Sequence, residues 1–595
     1  MKCFMKLGQK VLLRALTVTM VVGLVMVFMG GWAFAQEKSV AEKILDIMLK
    51  NHEITQAQYN DLLSQAKAEQ MAAAQKIAES QKATEAKLVA LQPVAKQPTD
   101  FRAWWNQSDG LHFTTEDKNF DMHIGGRIQY DVADTEPNTA LGKWAAAGGS
   151  FSSKGGTSQP TAVGGYGDQL RRVRLDIDGT LYKNIEFIMQ PDFAPSYKIT
   201  TGVLRNTNGV TTSSITNIAS ITTGAAITFA DVWVGVKDIP CIGRIKVGQM
   251  YEPLSIEQIT SDNWNTFMEK ALPVNAFIPG RQAGIETQNT ICNDRIGWMV
   301  GYFFQQQAAV TANGVPLDTT GDLFSPHLDA TNFAMRLTAL PWYECKGEHL
   351  LEIGISYSHE FRSDTYSTAS TTLNQGFINP GTLDFKSSPE ANLFSPLVDS
   401  GYFLAKSVDI IDPEIAFVCG PFSAQAEYIW VQANDCINLF ESSGGGTPEG
   451  TNGSTTHLPT ANFSGWYVQA SYFLTGEHRN YATTASPATY QGTFGRVYPF
   501  HNFNPVCGGG LGAWELAFRV SQLDVNDLGA GFNGGCETDY TVGLNWYLNP
   551  NVMVKMDYVY ATVGAHSGGL PNNYYGNLIS SGTDNIFETR FQIAF

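Results

Sequence analysis

The sequence predicts an all-β transmembrane barrel of 16 antiparallel strands over residues 120–595, preceded by an N-terminal helical, coiled-coil segment. Three observations carry this reading. Apolar and polar residues alternate with period two from Phe120 onward, short turns alternate with long loops, and a final amphipathic strand is available to close on the first.

The front end reads as an export signal. Lys2, Lys6, Lys10 and Arg14 precede an apolar run from Val18 to Met29, and Ala33-Phe34-Ala35 offers small residues for cleavage after Ala35, so residues 1–35 are expected to leave. The remainder holds no further apolar stretch of about 18 residues, which argues against a helical-bundle membrane protein and leaves β-barrels untouched. Charged residues make up only 16% of the chain, below the usual quarter or so, with 57 Gly and 12% aromatics. The formal charge of −17 becomes −21 once the four signal cations are removed, which makes nucleic acid an unfavourable partner.

Residues 36–92 are rich in Ala, Gln, Lys and Glu. Ile44, Leu45, Ile47, Met48, Ile54, Tyr59, Leu62 and Leu63 form a stripe at helical spacing, with Thr55 placed to cap a second helical stretch. This segment is expected to be helical, to self-associate as a coiled coil and to project into the periplasm. Pro93 and Pro98 end it, and residues 93–119 read as a linker.

In the first strand Phe120, Met122, Ile124, Ile128 and Tyr130 alternate with Asp121, His123, Arg127, Gln129 and Asp131; in the second, Val173, Leu175 and Ile177 alternate with Arg172, Arg174, Asp176 and Asp178. Strand centres follow near residues 125, 174, 188, 233, 247, 286, 300, 335, 355, 412, 427, 469, 517, 543, 556 and 590, the tenth being the least sharply marked. Short turns such as 182–184, 240–241, 293–294, 419–421 and 549–550 belong to one rim, and long loops rich in Ser, Thr, Gly and Asn to the other. The long connection 475–511 is the exception, because strand direction places it at the short-turn rim. In the last strand Phe587, Phe591, Ile593 and Phe595 share one face and Glu588, Arg590 and Gln592 the other, so pairing with the first strand would remove both edges.

Short motifs then carry a family resemblance. Phe120 to Tyr130, Arg171-Arg172-Val173-Arg174-Leu175, Ile245 to Gln249 with Glu252-Pro253, Phe277-Ile278-Pro279-Gly280-Arg281, Gly420 to Ser423, Tyr467 to Glu477 and Gly512 to Glu515 occur in an order that resembles the phosphate-selective porin family, the outer-membrane porins of O and P type. The resemblance implies a 16-stranded barrel, often trimeric, in an outer membrane, whose lumen narrows at an inward third loop and passes anions along basic side chains. The matching loop, Met250 to Gly280, carries Glu252, Glu257, Asp262 and Glu269 against Lys270 alone, with Arg281 just beyond it. That acidity departs from a basic constriction.

Parity assigns the candidate pore-lining cations. Arg127, Arg172, Arg174, Arg244, Lys246, Arg336 and Arg519 fall on the polar face, as do Lys555 and Arg590, and Lys270 and Arg281 belong to the third-loop region. A basic group facing lipid at mid-depth would cost about 2 to 4 kcal/mol. Of these, Arg127, Arg172, Arg174 and Lys246 either form a positive strip that steers anions or pair with Asp121, Asp176, Asp178, Asp231 or Glu515 across the wall. No HExxH or phosphate loop is present, since Gly508-Gly509-Gly510 lacks the Lys that such a loop needs. No catalytic residue, cofactor or metal site is expected.

Of eight cysteines, Cys3 leaves with the signal. Cys241, Cys292, Cys345 and Cys419 fall near short turns and Cys507 in the 475–511 connection, so disulfides could tie that rim together or to another chain in an oxidising compartment. Two functions follow. One is a porin for passive diffusion of small hydrophilic solutes or ions, anion- or phosphate-leaning, as a homotrimer in the bacterial outer membrane. The other is an envelope anchor whose N-terminal helix grips peptidoglycan or a periplasmic partner.

Overall fold

A computed structural model describes residues 50–51, 55–61, 64–65, 101–106, 109–138, 165–194, 199–200, 227–304, 330–362, 383–394, 396–401, 403–438, 459–506, 509–564 and 581–595. The chain divides into two units, residues 1–97 and 98–595. In the first unit, residues 56–61 are helical. The Gln58 N–H donates to Thr55 Oγ1 at 3.4 Å and the Thr55 N–H to Gln58 Oε1 at 2.9 Å, the reciprocal pair of a capping box. Apart from these few residues, the 36–92 segment and with it the coiled-coil expectation lie outside the described residues, as does the signal segment.

The second unit is a closed antiparallel barrel. Its 16 strands are β1 Phe120–Pro137, β2 Gly165–Leu181, β3 Ile185–Asp192, β4 Thr228–Ile239, β5 Gly243–Tyr251, β6 Arg281–Ile291, β7 Ile296–Phe304, β8 Ala330–Glu344, β9 His349–Arg362, β10 Ser407–Cys419, β11 Phe422–Asn434, β12 Ala461–Phe473, β13 Ala513–Asp527, β14 Phe532–Asn549, β15 Val552–Gly564 and β16 Ser581–Ala594. Each pairs with its chain neighbour, and β16 pairs with β1 from Asp584 opposite Pro137 to Ala594 opposite Arg127. Every expected centre, the weakly marked tenth included, lies within a strand.

Alternation sorts the two faces as the pattern requires. Ile128, Val247, Leu337, Val468, Phe518 and Phe591 are exposed on the outside, while Arg127, Lys246, Arg336, Gln469, Arg519 and Arg590 are buried inside. An apolar outer belt and a charged interior are what a hydrocarbon environment demands of a closed sheet, whose backbone groups must all be satisfied internally.

Residues 101–115 depart from the expected linker. Phe101–Asn106 and Gly110–Thr115 form a hairpin whose second strand pairs with β1. Ring contacts hold it there: His112 stacks on Trp104 with ring centroids 5.2 Å apart, and Trp105 lies against the C-terminal Phe595 at 6.1 Å. Phe595 and Gly126 exchange both backbone hydrogen bonds, at 2.6 and 2.9 Å, so the hairpin, β1 and the C-terminal residue meet at one seam.

Three connections turn into the barrel. Between β5 and β6 lies an inward segment with two short helices, α1 Ile256–Ile259 and α2 Leu272–Phe277. Ser255 caps α1 by accepting from the Gln258 N–H. Residues 383–394 and 396–401 follow inward before β10, and 475–506 enters from the short-turn rim. Leu272, Val274 and Phe277 of α2 pack with Phe385, Phe403, Phe463 and Phe532 in one buried apolar cluster. A lumen partly filled with side chains of its own is therefore a property of this barrel. Cys241, Cys292, Cys345 and Cys419 are exposed and, with Cys436 and Cys536, unbonded. The tie between neighbouring turns is thus absent among the described cysteines, and Cys507 lies outside them.

The seam makes a sharp prediction. A Cβ on Gly125 would stand 2.4 Å from the Phe595 carbonyl oxygen, so Gly125→Val should cost about 1–3 kcal/mol and lower the temperature at which the folded band converts to the unfolded one on a heat-modifiability gel. An unchanged conversion temperature would contradict the seam.

Candidate functional site

The site is built where the inward segment meets strands β2 to β6. In β2, alternation puts Arg172 and Arg174 inside and should turn Arg171 outward. A bulge intervenes: Gln129 pairs with Arg172, but the next residue, Tyr130, pairs with Leu170. Arg171 is the extra residue, and it points inward beside its neighbour. Its guanidinium grips Glu269 through two bonds, Nε to Oε1 at 2.9 Å and one Nη to Oε2 at 3.1 Å. Parity reasoning therefore missed Arg171, and only the bulge reveals it.

Asp262 of the inward segment gathers three cations. Arg172 is 3.0 Å away, Arg174 3.4 Å and Lys270 3.8 Å. Arg174 also binds Asp192 on β3 at 2.6 Å, and Lys270 donates to the Gln258 carbonyl oxygen and side-chain oxygen at 3.2 and 2.6 Å. Arg281, at the start of β6, pairs with Asp231 at 3.1 Å and lies over the Tyr251 ring at 3.8 Å, a cation–π contact. Lys270 sits 5.0 Å from the same ring.

Burial alone would push the Asp262 carboxyl up, but Arg172, Lys270, Arg174 and Arg281 outweigh it and hold it well below the usual range. The same balance acts on Glu269, where burial is overcome by Arg171 and Arg590. Both carboxyls are therefore firmly ionised.

These residues enclose a cavity of about 390 Å³. Its charged lining is Arg171, Arg172, Arg174, Lys270 and Arg281 against Asp192, Asp262 and Glu269, a surplus of two positive charges. Arg171 keeps 24% of its side chain exposed, Arg281 16% and Lys270 12%, so these three are the most accessible of the set.

The loop's acidity is thus redistributed, which corrects the expectation drawn from its composition. Glu252 accepts from the Asn332 amide on β8, and Glu257 receives Arg519 at 3.0 Å and the Ala271 N–H at 2.9 Å. Neither lines the cavity. The acids bind the segment to the wall, and the cations around the cavity remain in excess.

The other candidate cations are placed elsewhere. Arg127 pairs with Asp176 at 3.0 Å, Arg244 with Glu186 at 2.6 Å and Lys246 with Glu286 at 2.7 Å. Arg336 pairs with Glu414 at 2.6 Å and donates to the Gly492 carbonyl oxygen at 2.9 Å. Arg519 binds Glu390 at 2.7 Å, Lys555 donates to the Asn265 carbonyl oxygen, and Arg590 holds Asp131 at 2.7 Å and Glu269 at 2.8 Å. All are interior, as parity requires, but they fix inserted segments or neighbouring strands. Of the four cations expected to pair across the wall, Arg127 takes an expected partner, Asp176, whereas Arg172 takes Asp262, Arg174 takes Asp192 and Asp262, and Lys246 takes Glu286.

With this geometry established, likeness to known proteins can be placed. The family model described as phosphate-selective porin O and P matches residues 159–595. Porin O of Pseudomonas aeruginosa is 23% identical over 464 residues, covering 76% of this chain and 85% of that protein. An uncharacterized protein of Caulobacter vibrioides is 24% identical over 476 residues, covering 78% of this chain and 72% of its own length. Among solved structures, the outer membrane channel DcaP of Acinetobacter baumannii (81% of this chain, 99% of its own) and an anion-selective porin from Comamonas acidovorans (80% and 100%) each align at TM-score 0.38 and 10% identity. Those two values are too low to transfer a solute or an assembly. The family match covers well over half of the chain, and the protein belongs to the phosphate-selective porin O and P family of outer-membrane porins.

Proposed function

We propose that this outer-membrane porin passes small hydrophilic solutes by passive diffusion and favours anions, phosphate among them, at the cavity lined by Arg171, Lys270 and Arg281. The observation that carries the reading is the surplus of cations around that cavity, created because the segment's own acids are spent on the wall. The family's description as phosphate-selective supports the same direction. A phosphate suits an Arg fork better than a point cation, since two N–H donors meet two oxygens; Arg281, which gives Asp231 one nitrogen, keeps most of its fork, and Arg171 keeps the donors that Glu269 leaves. Focusing by a low-dielectric wall would raise the local anion concentration. The apolar outer belt is suited to lipid and to a neighbouring copy, and we include a homotrimer in the reading. No observation favours the envelope-anchor alternative.

In planar bilayers the purified protein should give discrete conductance steps, and phosphate should reduce the chloride current. Arg171→Gln combined with Lys270→Gln should lower the anion-to-cation permeability ratio by about tenfold at low salt and by less at high salt, where screening takes over. Unchanged zero-current potentials in the double variant would remove the cavity from the account.

The pH dependence of segment docking follows from Asp262 and Glu269. Because their folded-state pKa values are depressed, the stability they contribute is present above their ordinary values of 3.8 and 4.5 and is lost only as pH falls through the lower folded values. Hydrogen-exchange protection of residues 262–266, corrected for intrinsic rates, should therefore stay level from pH 7 down to 4.5. A loss of protection within that interval would contradict the ion-pair anchoring. Glu269→Gln leaves Arg171 and Arg590 short of a partner and should cost about 3–5 kcal/mol in thermal or denaturant unfolding; a cost under about 1 kcal/mol, the value of a solvent-exposed pair, would contradict it.

A further inference from the structure

The wall opposite the cavity holds a second charge cluster of the reverse sign. Asp412 and Glu414 lie two residues apart on the inner face of β10, and Glu427 on β11 is the direct cross-strand partner of Glu414. One carboxylate oxygen from each of the three lies within 4.8 Å of the others, and all three residues are buried. Gly354, facing Glu414 across β9, leaves the room, since a Cβ there would stand 2.2 Å from Glu414 Oε1.

Like charges placed directly opposite one another destabilise a sheet, so something must offset them. The protein does so only in part. Glu414 is served by Arg336 and by the Ile256 N–H, at 2.9 Å. One oxygen of Glu427 takes the Glu257 N–H at 3.0 Å and the Tyr467 hydroxyl at 2.5 Å. Asp412 is fully buried, and neither of its oxygens has a hydrogen-bond partner; the second Glu427 oxygen has none either. Leaving such oxygens unpaired costs several kcal/mol for each ion.

We infer that Asp412, Glu414 and Glu427 form a calcium site in the barrel wall that steadies the inward segment. Hard oxygen ligands at about 2.3–2.6 Å suit Ca²⁺, and the three oxygens, all within 4.8 Å of one another, are close enough to share one such ion. Magnesium retains several waters and demands octahedral order, which a cluster buried this deeply accommodates poorly. The consequence follows from the remaining oxygens of Glu414 and Glu427, which accept the first N–H groups of α1. A cation that orders those two carboxylates orders the start of the inward segment with them.

The test uses detergent-purified protein, with Ca²⁺ alone as probe. After dialysis against Ca²⁺ and passage over chelating resin, wild type should retain one more equivalent per chain than Asp412→Asn and Glu427→Gln. Adding Ca²⁺ to chelator-treated wild type should slow amide exchange of residues 256–260, and it should leave both variants unaffected. Equal Ca²⁺ content in wild type and both variants would overturn the site. So would protection of 256–260 that follows pH and ignores Ca²⁺, because the cluster would then be sharing protons. Should a variant fail to fold, the wild-type exchange experiment decides alone.

Discussion

The structure depends on how charge is settled inside a closed wall. Barrel closure puts one face of every strand in hydrocarbon and therefore sends the basic and acidic residues at mid-depth inward, where an unpaired ion is costly. Asp262 and Glu269 are the pivots of that settlement. Each is shared among cations from different elements: Asp262 among Arg172, Arg174 and Lys270, and Glu269 between Arg171 and Arg590. Through them the segment between β5 and β6 is anchored to β2 on one side and β16 on the other, and the cavity takes its shape and sign from that anchoring.

This settlement explains why residue counts misjudge the site. Read as composition, the third-loop segment is acidic, and acidity predicts repulsion of anions. In three dimensions its carboxylates face the wall's arginines, and what remains accessible at the cavity is cationic. The sign of a pore is set by the charges left over after pairing, and pairing is a long-range property: Arg519 meets Glu257 and Glu390, which come from two different inserted segments.

The barrel itself was legible in the sequence because its determinant is local. A period of two, repeated between turn signals, specifies strand, face and register together, so Arg127, Lys246 and Arg590 are interior for the same reason that Ile128, Val247 and Phe591 are exterior. Arg171 was hidden because a bulge breaks that period at a single residue. The hairpin at 101–115 was hidden because its strands are short and are held by contacts to the distant C-terminal residue. The inward course of 383–394 and 475–506 was hidden for a further reason. Apolar residues such as Phe385 and Phe494 read as ordinary loop content until the interior surfaces they cover are known.

Anchoring the inward segment leaves a cationic cavity. Anomalous scattering from crystals soaked separately in bromide and in rubidium tests it most directly. A bromide peak should appear among Arg171, Lys270 and Arg281, with no rubidium there. Rubidium in that cavity, with Asp262 or Glu269 turned toward it, would contradict it.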